Sequence, residues 1–183
     1  DPVETLRLWT ESPARALHGR SVVGGLFGAV VAVRRFRRRS GVTTPVGDRF
    51  AIPFLISTAI GRVGCFLTGL PDRTHGVATT LPFGVDFGDG VLRHPLQLYE
   101  CAFLLGFALV LTIRRRRLRD RRPPGALFDE MAAVYFAWRF GIDFLKPYAP
   151  FFGLFGGVQL VALFGAIWFR GGLRSLFART VRT

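Results

Sequence analysis

Five apolar segments alternate with basic or turn-rich stretches along the chain, and their lengths predict membrane-spanning helices. A helix needs about 20 residues to cross a bilayer core, and most of the segments reach that length, the first and last being at the short end. The segments are 17–33, 50–70, 95–113, 126–146 and 151–169. The pattern predicts one all-α transmembrane domain over residues 1–183, a polytopic helical bundle of about five spans.

The basic residues between the segments predict the orientation of the bundle. The stretches 34–49, 114–122 and 170–183 hold six, seven and four basic residues, 17 of the 25 lysines and arginines. All three lie on one side if each segment crosses once, and an excess of Lys and Arg marks the cytoplasmic side. We expect residues 1–16, the loop 71–94 and the turn 146–150 to face outside. We interpret the arginine runs mainly as topology determinants and lipid headgroup contacts.

The external loop 71–94 has Pro, Gly and Asp at positions typical of turns. Its short apolar runs 81–85 and 85–87 predict a small hairpin. An ordered loop above a polar intramembrane site would act as a lid or as a guide for the substrate.

Composition excludes two other classes. Half of the 183 residues are hydrophobic and the formal net charge is +13. Nucleic-acid binding would explain the charge, but the arginines fall between apolar runs instead of forming one stripe. Cys65 and Cys101 both lie within predicted spans, so we expect neither a disulfide framework nor a zinc site. No metal and no cofactor is expected.

Two arginines, Arg62 and Arg139, lie inside apolar segments. An ionisable residue within a span is costly and marks a functional site by default. Each arginine is about 12 Å from the outer end of its segment at the helical rise, so the two have similar depth on the same side. Arginine binds phosphate in a bidentate way and stays charged when desolvated. We therefore expect a phosphate site just below the outer surface of the membrane.

Other polar residues accompany these arginines. Tyr135, Arg139 and Asp143 are spaced i, i+4, i+8 and share one helix face. Pro95 fits the first turn of the third helix. The remaining polar candidates are His94, directly before the third span, and three residues within it, Gln97, Tyr99 and Glu100. His94 is the best placed of the three histidines in the chain.

A structural interpretation stays open beside the anion site. Arg139 with Asp143 would form an i, i+4 pair, and Arg62 with Glu100 would form an interhelical salt bridge. The Gly24-Gly25-x-x-Gly28 and Gly61-x-x-Gly64 patterns favour close helix packing, although a glycine face also leaves room for a lipid tail or headgroup.

Four motifs resemble those of the bacterial prolipoprotein diacylglyceryl transferase family. Residues 61–69, GRVGCFLTG, are similar to G-R-x-G-N-F-x-N-G, and residues 81–85, LPFGV, are similar to L-P-W-G-V. Residues 94–100, HPLQLYE, resemble H-P-[ST]-Q-L-Y-E, and residues 135–147 resemble Y-G-x-x-R-F-x-x-E-F-x-R-x-P. The order and spacing agree from about Ser21 to the last span. The family's members have seven spans, so the chain is expected to lack the first two.

The resemblance implies an activity and a site. The family transfers the diacylglyceryl group of phosphatidylglycerol to the lipobox cysteine thiol of a prolipoprotein signal peptide and releases glycerol phosphate, at the outer face of the bacterial plasma membrane. Arg62 and Arg139 would stabilise the phosphate. The thiol must also lose its proton, and the residues of this chain leave His94, His75 and Glu100 as candidates for the base, with His94 taken as the catalytic one. The positions expected to bind substrate are Gly24, Gly25, Gly64, Cys65, Gly69, Gln97, Tyr99, Glu100, Tyr135 and Asp143. The partners implied are phosphatidylglycerol, the prolipoprotein and the bilayer, without nucleic acid.

The chain departs from the family at polar positions. Val23 stands where the family has a histidine, and Leu70 where it has a glutamate. Cys65 replaces an asparagine, and Asp143 replaces a glutamate. Two alternatives therefore accompany the transferase hypothesis. One is a non-catalytic phospholipid-binding homologue, and the other is a glyceryl-group transferase with a different acceptor.

Overall fold

A computed structural model describes residues 22–42, 46–117, 123–147 and 156–172, which form an all-α membrane bundle. The helices are α1 (Val22–Ser40), α2 (Asp48–Thr68), α3 (Leu96–Arg117), α4 (Ala126–Ile142) and α5 (Gly157–Trp168). Helices α2 and α3 are long and apolar enough to span a bilayer, with mean hydropathy of 1.7 and 1.9. Short 3-10 helices follow α2 at Leu70–Asp72 and α4 at Asp143–Leu145.

Each predicted apolar segment overlaps one helix, but two helices continue beyond their segments. Helix α1 runs to Ser40 and α3 to Arg117, through residues that we had placed in basic loops. Arginine is a good helix former, and cations near a helix C-terminus interact favourably with its dipole. Residues 17–21 and 151–155 of the predicted spans lie outside the described residues. The five crossings and their orientation stay predictions.

The core lies between the helices, where α2 packs on α3 and α4 packs on α5. Its largest fully buried side chains include Leu55, Leu104, Met131 and Phe136. Gly165 of α5 allows a close approach, because a Cβ there would lie 2.7 Å from the Phe136 ring. Gly165 therefore allows α5 to pack closely on α4.

Polar contacts fix the end of the bundle that carries the basic stretches. The Asp48 carboxylate accepts hydrogen bonds from the backbone N–H of Gly125 (2.8 Å) and of Phe128 (2.9 Å), and so caps the start of α4. Arg114 of α3 pairs with the buried Glu130 of α4 at 3.0 Å. These contacts set the positions of α2, α3 and α4 relative to one another.

The loop between α2 and α3 contains the predicted hairpin, with a different partner strand. Strand β1 (Val85–Asp86) pairs antiparallel with β2 (Leu92–Arg93), so the run 85–87 pairs with a segment beyond it and not with 81–85. The turn is closed by the Asp86 carboxylate, which accepts the N–H groups of Gly88, Asp89 and Gly90.

The same loop is attached to the end of α4. The N–H of Val77 donates to the carbonyl of Leu145 (2.9 Å), and the N–H of Gly76 donates to the carbonyl of His94 (2.8 Å). A Cβ at Gly76 would lie 2.7 Å from that of His94, so the contact requires glycine. The loop is thereby held close to the charged residues at the end of α4.

Candidate active site

A buried carboxylate joins the two arginines of the apolar segments, Arg62 and Arg139. One oxygen of Glu100, on α3, pairs with Nε of Arg62 on α2. The other oxygen pairs with Nη1 of Arg139 on α4. The three residues are only 4–9% exposed. Three helices therefore converge on one carboxylate, and the two guanidinium groups meet there as their similar depth predicted.

The cluster continues to the end of α4 through Asp143. Its Oδ1 lies 3.0 Å from Nη2 of Arg139 and 3.0 Å from Nζ of Lys146. Lys146 is 8% exposed. Arg62, Glu100, Arg139, Asp143 and Lys146 thus belong to one continuous network of ion pairs.

The network contains both ion pairs of the structural interpretation, Arg62 with Glu100 and Arg139 with Asp143. Simple pairing does not require the further feature that arginines from two different helices meet at the one carboxylate of Glu100. Buried charge is costly unless it is compensated.

Two buried polar side chains accompany the network without a hydrogen-bond partner among the described residues. They are Gln97, one turn before Glu100, and Tyr135, one turn before Arg139. Gln97 is 1% exposed and Tyr135 is 2% exposed. A buried polar group without a partner costs about 1–3 kcal/mol. Both groups are therefore able to bind polar atoms of a ligand.

Cys65 also lies beside the cluster, one turn after Arg62. Nη1 of Arg62 lies 3.9 Å from its sulfur, a weak contact, and the side chain is half-buried. The thiol therefore adjoins the guanidinium group, as substrate contact at this position would require.

His94 and Tyr99 form a separate pair. Nδ1 of His94 lies 3.1 Å from the Tyr99 hydroxyl, and both rings contact Phe83 of the loop. The described contacts of His94 attach it to the external loop. The structure thus places His94 with the loop and Tyr99, whereas Gln97 and Glu100 lie with the arginines.

Comparison with known proteins decides the family. The sequence model of the prolipoprotein diacylglyceryl transferase family matches residues 1–174. The chain belongs to this family.

Curated relatives named phosphatidylglycerol–prolipoprotein diacylglyceryl transferase agree with that assignment. The relative from Nitratidesulfovibrio vulgaris is 34% identical over 149 residues, 80% of this chain and 52% of the relative. That from Geobacter sulfurreducens is 34% identical over 145 residues, 76% of this chain and 53% of the relative. That from Vibrio vulnificus is 31% identical over 160 residues, 86% of this chain and 55% of the relative. The chain thus spans about half the length of these relatives. No solved structure matches the chain significantly.

Two positions that the motif resemblance sets against a histidine and a glutamate of the family are apolar in this chain. Val23 is 1% exposed and belongs to the hydrophobic core. Leu70 begins the 3-10 helix after α2. An apolar side chain at either place neither accepts nor donates a proton.

The glycines expected to pack helices lie instead on open faces. A Cβ added at Gly25, Gly28, Gly61 or Gly64 would meet no atom within 4 Å in the described part of the chain. The packing interpretation is therefore wrong for these four positions within the described bundle, whereas the open space agrees with room for lipid. Gly24 is also on an exposed surface. The backbone conformation explains the glycine at position 69. Gly69 ends α2 at φ 71° and donates its N–H to the carbonyl of Phe66.

Lys146 is the site residue that sequence reasoning missed. We had assigned it to an external turn, yet it is buried against Asp143. Its position three residues after Asp143, in a segment that continues as a helical turn, was the available signal.

Proposed function

We propose that the chain transfers the diacylglyceryl group of phosphatidylglycerol to the lipobox cysteine thiol of a prolipoprotein and releases glycerol phosphate. Arg62 and Arg139 hold the phosphate, with the site towards the outer face of the bacterial plasma membrane. The observation that carries the proposal is the meeting of two buried arginines from different helices, Arg62 and Arg139, at one carboxylate. The phosphodiester of phosphatidylglycerol shares its negative charge between two oxygens, and guanidinium groups bind such oxygens through paired N–H donors.

The two arginines also act on the negative charge that develops as the reaction proceeds. The cysteine sulfur attacks the glyceryl carbon next to the phosphate, a C–S bond forms, and the C–O bond to phosphate breaks. The leaving oxygen keeps the electron pair, so glycerol phosphate gains a second negative charge. Arginines aimed at that charge stabilise the transition state more than the bound lipid. The thiol proton goes to a base.

The residues around the arginines have distinct roles in this proposal. Glu100 and Asp143 hold the guanidinium groups in place through their ion pairs. Gln97 and Tyr135 offer polar atoms to the glycerol headgroup. Gly24, Gly25 and Gly64 leave space for the lipid, and His94 with Tyr99 lies under the loop that guides the peptide.

A glycerol phosphate release assay tests the proposal. Purified protein in liposomes receives phosphatidylglycerol with or without a lipobox peptide. We expect peptide-dependent release that falls about 100- to 1,000-fold in Arg62→Ala and in Arg139→Ala. Arg116→Ala, a change at an exposed position of α3, should keep wild-type release. Equal effects of the three substitutions would contradict the proposed role of the arginines.

A second function, phospholipid binding without transfer, is favoured by Val23. The family's histidine position is filled by a core valine, so the base must come from elsewhere in the site. Absence of release, together with phospholipid binding that depends on Arg62, would establish this function. Release without the peptide would instead indicate another acceptor of the glyceryl group.

A further inference from the structure

A second ligand-sized space lies at the other end of the bundle, between α1, α2 and the start of α4. It is a groove with a volume of about 490 Å³. One wall is a single face of α1, with Leu26, Ala29 and Val33 spaced three or four residues apart. The opposite wall includes Phe50 and Phe54 of α2. The walls are therefore apolar along the length of the groove.

One end of this groove is strongly basic. Arg34 and Arg37 line it, and they also line an adjoining cavity of about 500 Å³ together with Arg38. Asp129 is the acidic member of the lining, so these four side chains carry a formal charge of +2. The groove thus has an apolar length and a cationic mouth.

Contacts keep Arg34 at that mouth. Its guanidinium lies 3.6 Å from the Asp129 carboxylate. It also lies over the rings of Trp168 and Phe169, at 5.7 and 5.1 Å from their centroids. The carboxylate and the two aromatic rings hold the Arg34 side chain in one orientation. A bound anion therefore costs less side-chain conformational entropy at Arg34.

The groove is separate from the candidate active site. Phe50 precedes Arg62 by twelve residues on α2, which is about 18 Å along the helix. At the inner end of the groove, the Phe54 ring packs edge-to-face on Tyr135 at 5.3 Å. These two rings stand between the groove and the arginine network.

We propose that this groove binds an anionic phospholipid, with an acyl chain along α1 and α2 and the phosphate at Arg34 and Arg37. From Leu26 to Arg37 the α1 face is about 16 Å long, so it accommodates an extended stretch of acyl chain. Arginines at a helix end place their charge at the headgroup level while their stems cover apolar surface. Basic pockets between membrane helices bind anionic headgroups in this manner. The excess of positive charge favours an anionic lipid over a zwitterionic one.

The test is photolabelling by two lipids that differ in the headgroup alone. Phosphatidylglycerol and phosphatidylcholine, each with a photoreactive acyl chain, are added in trace amounts to phosphatidylcholine liposomes that hold the protein. Peptide mass spectrometry then locates the labels. We expect phosphatidylglycerol to label Phe50, Phe54 and the α1 face about 25-fold more than phosphatidylcholine, the combined effect of two basic residues near the headgroup. Arg34→Gln and Arg37→Gln should each reduce this preference by about fivefold, the effect of one basic residue near an anionic headgroup.

Two further variants make the result decisive. Arg115→Gln with Arg116→Gln removes two exposed arginines of α3 that do not line the groove, and should keep the preference. Arg62→Ala should also keep groove labelling, because Arg62 does not line the groove. The proposal is overturned if both lipids label the groove equally, if the groove is not labelled, or if its labelling disappears with Arg62→Ala. Glycerol phosphate release is measured separately, so failure of the proposed transferase activity would not affect this result.

Discussion

Replacing Glu100 with glutamine tests whether the arginine network is built for an anion. The carboxylate is 4% exposed and pairs with two arginines that are 9% and 6% exposed. Glutamine keeps the shape and removes the charge, so the network loses one negative charge. Removing one partner of a buried ion pair typically costs about 3–5 kcal/mol. For a chain of this size that corresponds to a decrease in Tm of roughly 6–20 °C.

The informative measurement is the response of this variant to glycerol phosphate. A ligand that binds the folded state at 100 times its Kd stabilises it by about 2.7 kcal/mol. Because Glu100→Gln adds a positive charge to the site, glycerol phosphate should raise its Tm in detergent by more than it raises that of the wild type. Glu130→Gln is the matched control, since Glu130 is also buried and also pairs with an arginine, Arg114. We expect it to lose stability without gaining a response to the anion. Equal responses of the two variants would refute the reasoning.

Three other substitutions test neighbouring parts of the structure. Lys146→Met should weaken the binding of phosphatidylglycerol severalfold, seen as a raised KM, whereas Lys146→Arg keeps the charge and most of the affinity. Gly76→Ala should loosen the external loop, because its Cβ would overlap His94; faster amide hydrogen exchange at Val77 would show this. Asp48→Ala removes the cap of α4 and should cost about 1–3 kcal/mol in thermal unfolding, while Asp48→Asn keeps a side-chain acceptor oxygen and should cost less.

The helices were predictable because apolar length determines them, but their ends were not. The periodic pattern located each helix, since the membrane demands a long apolar run. The pattern predicted the end of α1 at residue 33, but the helix continues to Ser40. An arginine-rich stretch breaks the hydrophobic pattern without breaking the hydrogen bonds of the helix. The pairing of Asp48 with the start of α4 also had no local signal, since the hydrogen bond joins residues 77 and 80 positions apart.

In the candidate site, depth was predictable and partners were not. The positions of Arg62 and Arg139 within their segments indicated that the two side chains would meet, and they do so at Glu100. His94 was expected near them from its place in the motif, yet its ring contacts Tyr99 and the loop. The direction of a side chain at a helix start depends on the loop that packs on it, which a linear pattern does not contain. Lys146 was missed for a different reason, because it lies at the end of an apolar segment, at i, i+3 spacing from Asp143, and we assigned it to an external turn.

The convergence of two arginines on one carboxylate distinguishes this network from a single structural ion pair. An i, i+4 pair within one helix needs one arginine and one acid, whereas Arg62 of α2 and Arg139 of α4 share Glu100 of α3. Gln97 and Tyr135 add buried polar atoms without hydrogen-bond partners among the described residues, and such atoms carry a cost in the folded state. A phosphodiester with polar glycerol hydroxyls would bind to these atoms and to the two guanidinium groups, so the arrangement agrees with the proposed headgroup site.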